Sequence, residues 1–258
     1  MRIQLLPSTF DTAQRASVEQ RLTCFLIDEC VCVDAGSIAL GLDDTQRARV
    51  RDIIITHAHI DHIATLPIFI DDIAASLKEP IRVHATVEVI ETLERDILND
   101  TIYPRFSRLR GDHCFLMEYV PIAPYQHFKV GHLSFCAVPV NHTVPTVGFI
   151  VSDSQRTIAF SADTAETDEF WRVINDCKQM NAVIIETSFP NLMHELACVS
   201  KHLTPALLAS EMRKLEHREA DVLTVHLKAA FRETLVDELM ALNLPRLSVM
   251  EPGRTYEW

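Results

Sequence analysis

The decapeptide Ile53-Ile54-Ile55-Thr56-His57-Ala58-His59-Ile60-Asp61-His62 constrains this chain more than any other stretch. Three β-branched residues, the mark of a buried strand, run directly into three imidazoles and a carboxylate. His57 and His59 are two apart just past a strand, so both can face the same space. Asp61 and His62 follow where the chain turns toward a helix. Imidazole and carboxylate together suit zinc, manganese or iron. The spacing differs from the helical His-Glu-x-x-His arrangement, so the motif reads as a ligand cluster on a strand-end turn. Two ligands on each side of that turn can serve two different ions.

Two ions need more ligands than these, and the chain offers them in matching places. Asn141-His142-Thr143 follows an apolar strand over Leu133–Val138, Ala162-Asp163-Thr164 follows Thr157–Phe160, and His226 closes Asp221–Val225. Each alone has an ordinary explanation: a surface histidine, or an aspartate capping a helix. Their weight comes from recurrence, because ligands gather at strand ends in α/β sheets.

The remaining pattern is also α/β. Strands are expected at Thr23–Ile27, Val31–Asp34, Asp52–Ile55, Ile81–His84, Val147–Val151 and Ala182–Ile185, besides those above. Helices are expected over Ile63–Leu77, Thr86–Leu98, Glu169–Lys178, Pro205–Leu215 and Phe231–Leu242. Thr204 and Pro205 form a well-marked helix start. No linker or composition break interrupts the 258 residues, so one domain over residues 1–258 is expected. The proline-containing segment 103–129 reads as irregular, an insertion near the site.

Charge and cysteine usage narrow the function. The formal net charge is -12, there is no extended Lys/Arg run, and a local basic cluster such as Arg105 to Arg110 is short. That argues against nucleic acid as the partner. The seven cysteines are odd in number, form no Cys-x-x-Cys and mostly sit in apolar surroundings, which suits reduced thiols. No secretory leader pattern is present at the N-terminus, and no apolar run reaches the roughly 18 residues of a membrane span. A cytoplasmic protein without a membrane partner is expected, with a homodimer as the one assembly considered.

The motif His57-x-His59-x-Asp61-His62, with later single His, Asp and His at strand ends, resembles the metallo-β-lactamase superfamily. Asp34-Ala35-Gly36 after a strand is similar to its early Asp-Ala-Gly turn. The resemblance implies an α/β fold, a four-layer αββα sandwich. It also implies one metal on His57, His59 and His142, a second on Asp61, His62 and His226, and Asp163 bridging them. Zinc is the expected cofactor, with manganese or iron as alternatives. Independently of any family, two adjacent divalent ions lower the pKa of a shared water and clamp both oxygens of a phosphoryl transfer.

Within the superfamily, Glu186-Thr187-Ser188-Phe189-Pro190 and Ser200-Lys201-His202-Leu203-Thr204-Pro205 resemble the class II 3′,5′-cyclic-nucleotide phosphodiesterases, as does His226-Leu227-Lys228. The resemblance implies hydrolysis of cAMP or cGMP to the 5′-monophosphate. The residue match further implies that His202 and Glu186 act on the leaving group, that Asp61 is catalytic as well as metal-binding, and that Lys228 contacts phosphate. Physically, a leaving ribose oxygen needs a proton, imidazole can deliver it near neutral pH, and a carboxylate sets its tautomer. The chain departs from the pattern at Thr65, where Gly is common, at Ala162 and Ala165 around Asp163, where Gly-Asp-Thr-Gly is usual, and after His226, where Cys-Lys-Pro or similar is usual. No departure removes a ligand. The alternatives are a ribonuclease Z-like endonuclease on tRNA precursors and a thioester or lactone hydrolase with the same metals.

Overall fold

The computed structural model describes residues 1–258. The chain forms two compact units, each built on a seven-stranded mixed sheet. The first contains Met1–Val18, Leu22–Ala123 and Pro252–Glu257; the second contains Glu19–Arg21, Pro124–Glu251 and Trp258.

The strands of the first unit are β1 (Arg2–Leu5), β2 (Phe25–Ile27), β3 (Val31–Val33), β4 (Asp52–Ile54), β5 (Ile81–Ala85) and β6 (Met117–Pro121). The second unit contributes β7 (His127–Val130), β8 (Leu133–Pro139), β9 (Val147–Ser152), β10 (Thr157–Phe160), β11 (Ala182–Glu186), β12 (Asp221–Val225) and β13 (Leu247–Val249). A last strand, β14 (Thr255–Glu257), returns to the first sheet, whose order is β14-β1-β2-β3-β4-β5-β6. The second sheet runs β13-β12-β11-β10-β9-β8-β7. The pairs β1–β2, β2–β3, β7–β8, β8–β9 and β9–β10 are antiparallel, as is β14 on β1, and the remaining pairs are parallel.

Parallel strands need both faces covered, so their sequences become continuous apolar runs. Ile53, Ile54 and Ile55 are each fully buried, as is nearly all of Ala182–Ile185. The first core gathers Ile53, Ile55 and Val83 with Phe69, Ile70 and Phe106. The second gathers Ala159, Val183, Ile185 and Val222 with Phe170, Trp171, Leu208 and Leu239.

The expected helix over Ile63–Leu77 is divided into Ile60–Ile63 and Leu66–Ile73, followed by a 3-10 turn at Ala74–Ser76. Pro67 lies in the first turn of the second piece, where its missing N–H costs nothing. The helix from Val87 continues after Thr92 as a π turn over Leu93–Ile97. Glu169–Asn175, Pro205–Met212 and Arg232–Ala241 are helical as expected. The segment 103–129 is more regular than its composition suggested. Phe106–Arg108 is a 3-10 turn and β6 pairs in parallel with β5. A strand ending in Pro121 is tolerated because β6 is the sheet edge, where no ladder bond is lost. No helix is long and apolar enough to cross a membrane.

Candidate functional site

The first unit presents the opening motif just past β4. Thr56 and His57 lie in the turn that follows the strand, and His59 stands at the start of the short helix Ile60–Ile63, which carries Asp61 and His62. The rings of His57 and His59 lie 4.7 Å apart, and those of His57 and His62 lie 4.2 Å apart. Ligand atoms of His57 and His59 come within 4.8 Å of each other, as do those of Asp61 and His62. His57 and His62 are buried.

Asp34 organises this cluster. Its Oδ1 accepts from the Thr56 backbone N–H at 2.9 Å. The Thr56 hydroxyl reaches both carboxylate oxygens at 3.0 Å. Asp34 Oδ2 accepts from His62 Nδ1 at 2.7 Å. An ionised carboxylate only accepts, so the proton of His62 is on Nδ1 and Nε2 carries the lone pair a metal needs. The Thr56 hydroxyl gives its one proton to Asp34 and therefore accepts from His57 Nδ1, 2.9 Å away. His57 is thereby set in the same tautomer. Gly36 closes the turn, because a Cβ there would stand 2.0 Å from the Asp61 carbonyl oxygen.

The second unit places its site residues at the ends of β8, β10, β11 and β12. His142 Nδ1 donates to the Lys201 carbonyl at 3.0 Å, and Lys201 Nζ donates back to the His142 carbonyl at 3.0 Å. A carbonyl only accepts, so His142 also carries its ligand lone pair on Nε2. Asp163 comes within 4.8 Å of ligand atoms of both His142 and His226, and its Oδ2 lies 3.5 Å from His226 Nε2. A carboxylate close to two imidazoles is a donor set that suits a borderline divalent cation.

Beside it, Glu186, His202 and His226 form a second group with ligand atoms within 4.8 Å of one another. His202 Nδ1 donates to Glu186 Oε1 at 2.7 Å, and Thr164 N–H donates to the same oxygen at 3.1 Å. Both side chains are buried. Burial alone would lower the His202 pKa, but the charge and hydrogen bond of Glu186, with the charge of Asp163, hold it above the ordinary histidine value. Lys228, two residues beyond His226, is near enough for its charge to work in the opposite direction.

Four non-glycine residues at the site hold left-handed backbone: Asp34 (φ 60), Ala162 (φ 54), Lys201 (φ 54) and His226 (φ 62). Such a conformation costs about 1–2 kcal/mol per residue and persists where surrounding contacts over-determine it.

Within the first unit the structure brings His57 together with His59 and Asp61 with His62; within the second it brings Asp163 together with His142 and with His226, and Glu186 together with His202 and His226. Sequence reasoning missed the residues behind them: Thr56, Ser188 and Lys201 as hydrogen-bond partners, and Asp34 as more than a turn residue. Only Ser188 had a signal, its place two residues after Glu186.

The sequence profile of the β-lactamase superfamily domain matches residues 34–227. A probable 3′,5′-cyclic-nucleotide phosphodiesterase of Yersinia pestis is 25% identical over 211 residues, covering 72% of this chain and 60% of that protein. A 3′,5′-cyclic-nucleotide phosphodiesterase of Aliivibrio fischeri is 26% identical over 256 residues, 81% of this chain and 76% of that protein. The chloroplastic tRNase Z TRZ2 of Arabidopsis thaliana is 22% identical over 136 residues, 52% of this chain and 35% of that protein. Among solved structures, unliganded yeast PDE1 superposes with a TM-score of 0.76 at 17% identity, covering 98% of each chain. Two mixed sheets with helices, histidine and aspartate clusters at their strand ends and a profile match over most of the sequence agree: the chain belongs to the metallo-β-lactamase superfamily.

Proposed function

We propose that this protein is a dinuclear metal-dependent phosphodiesterase that opens the 3′,5′-cyclic phosphate of cAMP or cGMP to give the 5′-monophosphate. In this reading His57, His59 and His142 would hold one divalent ion and Asp61, His62 and His226 the other, with Asp163 available to both. Zinc suits the donor set, as do manganese and iron. The tautomers support it, because His57, His62 and His142 each have Nδ1 committed to an oxygen acceptor, presenting Nε2 as ligand.

When bound, the ions supply Lewis-acid polarisation of the phosphate and a nucleophile at neutral pH. The protein's own part is proton delivery. The 3′ oxygen is a poor leaving group and must be protonated as it departs. His202, its Nδ1 tied to Glu186 at 2.7 Å, presents Nε2 as the donor of that proton. Glu186 stabilises the imidazolium before transfer, and Lys228 adds positive charge for the phosphate.

The Glu186/His202 pair is the single observation that carries the reading. A thioester hydrolase with the same metals would leave a buried, charge-paired imidazole with no work. Relatives named as cyclic-nucleotide phosphodiesterases support the substrate class, and the net charge of -12 disfavours a large polyanion such as tRNA.

The test is hydrolysis by the zinc- or manganese-loaded protein of cAMP, cGMP, bis(p-nitrophenyl) phosphate, a tRNA precursor and a thioester. Cyclic nucleotide cleavage to the 5′-monophosphate is expected, and cleavage of the thioester alone ends the proposal. His202→Ala should lose about 10²- to 10⁴-fold on cyclic nucleotide and far less on the p-nitrophenyl ester, whose leaving group needs no proton. Equal losses on both would remove the general-acid role.

A further inference from the structure

Ser188 is fully buried between the end of β11 and the loop that brings in His202. Its backbone N–H donates to the Leu203 carbonyl at 2.9 Å, and the neighbouring Thr187 N–H donates to the Val225 carbonyl at 2.9 Å. The side chain therefore has a fixed origin. Its hydroxyl oxygen lies 2.9 Å from Glu186 Oε2, 2.9 Å from His226 Nδ1 and 3.2 Å from His202 Nδ1. The His226 carbonyl is a more distant neighbour at 3.3 Å.

A hydroxyl has one proton and two lone pairs, so these contacts cannot all run the same way. Glu186 is 1% exposed, and Ser188 is the only donor to its Oε2; His202 and the Thr164 N–H serve Oε1. Leaving a buried carboxylate oxygen without a donor costs about 1–3 kcal/mol, more for a charged group. The Ser188 proton therefore goes to Glu186. The serine oxygen is left to accept, and its short partner is the N–H at His226 Nδ1. That assigns the His226 proton to Nδ1 and the lone pair to Nε2, the nitrogen 3.5 Å from Asp163.

We propose that Ser188 is the positioning residue that makes His226 a metal ligand and ties it to the proton donor. One string runs from His226 Nδ1–H through the Ser188 hydroxyl to Glu186 and on to His202. The two imidazoles at its ends are nearly parallel, with centroids 5.6 Å apart and planes 14° apart. With both Nδ1 atoms anchored on the same serine–glutamate pair, both Nε2 atoms face away from it on one side. The inference rests on the reading of His226 as a ligand, and it deepens that reading by naming what sets the tautomer. Hydrogen-bond partners behind metal-ligating histidines are typically worth 10- to 100-fold in metal affinity.

The experiment compares wild type, Ser188→Ala and Ser188→Thr. Two readouts are taken: zinc stoichiometry and affinity against a competing chelator, and the His226 tautomer from long-range ¹H–¹⁵N correlation spectra of the metal-free protein. Ser188→Ala should lose 10- to 100-fold in affinity for one ion and shift His226 away from the Nδ1–H form, and Ser188→Thr, which keeps the hydroxyl, should restore both. A folded Ser188→Ala protein with wild-type affinity for both ions and an unchanged His226 tautomer overturns the proposal. Should the alanine variant not fold, Ser188→Cys, close in volume but a poor acceptor, is judged by the same two outcomes. Wild type that binds fewer than two ions would sink the dinuclear reading instead, and the tautomer spectra would still decide the role of Ser188.

Discussion

Replacing Asp34 by asparagine exchanges one carboxylate oxygen for an amino group at a place where both oxygens are in use. Oδ1 takes the Thr56 N–H at 2.9 Å, Oδ2 takes His62 Nδ1 at 2.7 Å, and the Thr56 hydroxyl spans both at 3.0 Å. Whichever way the new amide turns, its NH₂ meets an N–H donor. If it faces Thr56, a buried backbone N–H loses its acceptor. If it faces His62, the imidazole must move its proton to Nε2, and that nitrogen can no longer bind a metal. Each outcome costs about 1–3 kcal/mol for the unsatisfied group. The second also removes the carboxylate behind the ligand, worth about 10- to 100-fold in affinity. Asp34→Asn should therefore lose about 1–3 kcal/mol of stability in either orientation and, where the amide faces His62, bind one of the two proposed ions about 10- to 100-fold more weakly. Chemical denaturation with a chelator present separates the first number from the second, which comes from zinc competition titration. An Asp34→Asn protein with wild-type stability in chelator and wild-type zinc affinity would refute the reasoning, because no orientation of asparagine can satisfy both the Thr56 N–H and His62 Nδ1.

Three further perturbations follow from the same geometry. Gly36→Ala would place a Cβ 2.0 Å from the Asp61 carbonyl oxygen and 2.7 Å from Thr23 N, so a loss of about 3 kcal/mol with displacement of Asp61 is expected in thermal unfolding and metal content. Ala162→Gly relieves a left-handed alanine at φ 54; about 1–2 kcal/mol of strain less the entropy glycine adds to the unfolded chain leaves a net gain of about 0.5–1 kcal/mol in denaturant midpoint. Asp52 lies at the start of β4, where burial would raise its pKa, yet hydrogen bonds from Arg82 and His84 hold it at about 2 against a usual 3.8. A carboxyl with a depressed folded pKa contributes fully above the unfolded value and loses that contribution as pH falls from about 4 through 2. The shift corresponds to about 2 kcal/mol, so Asp52→Asn should be less stable than wild type by about that amount at pH 7, with the gap narrowing by about half near pH 3. A gap that is constant with pH would mean the ion pair contributes nothing.

The parallel strands were legible because burial on both faces leaves an unbroken apolar run, as in Ile53–Ile55. The edge strands were not. Thr255–Glu257, Met117–Pro121 and Leu247–Val249 are short and mixed in polarity, and they become strands only because a neighbour supplies the ladder. The break near Pro67 had a local cause that the apolar periodicity concealed.

His57, His59, Asp61 and His62 could be read from sequence because their proximity is local: six residues on one strand-end turn. His142, Asp163, Glu186 and His226 shared a second local signal, a polar residue at the end of an apolar strand. What those signals cannot carry is which nitrogen of each ring holds the proton. That is set by partners distant along the chain: Asp34 for His62 at 28 residues, Lys201 for His142 at 59, Ser188 for His226 at 38. Residue type and spacing marked which side chains are candidate metal ligands. Only the tertiary hydrogen bonds decided that those imidazoles are in the form that can bind a metal, because a tautomer depends on a neighbour's lone pair and not on the order of residues.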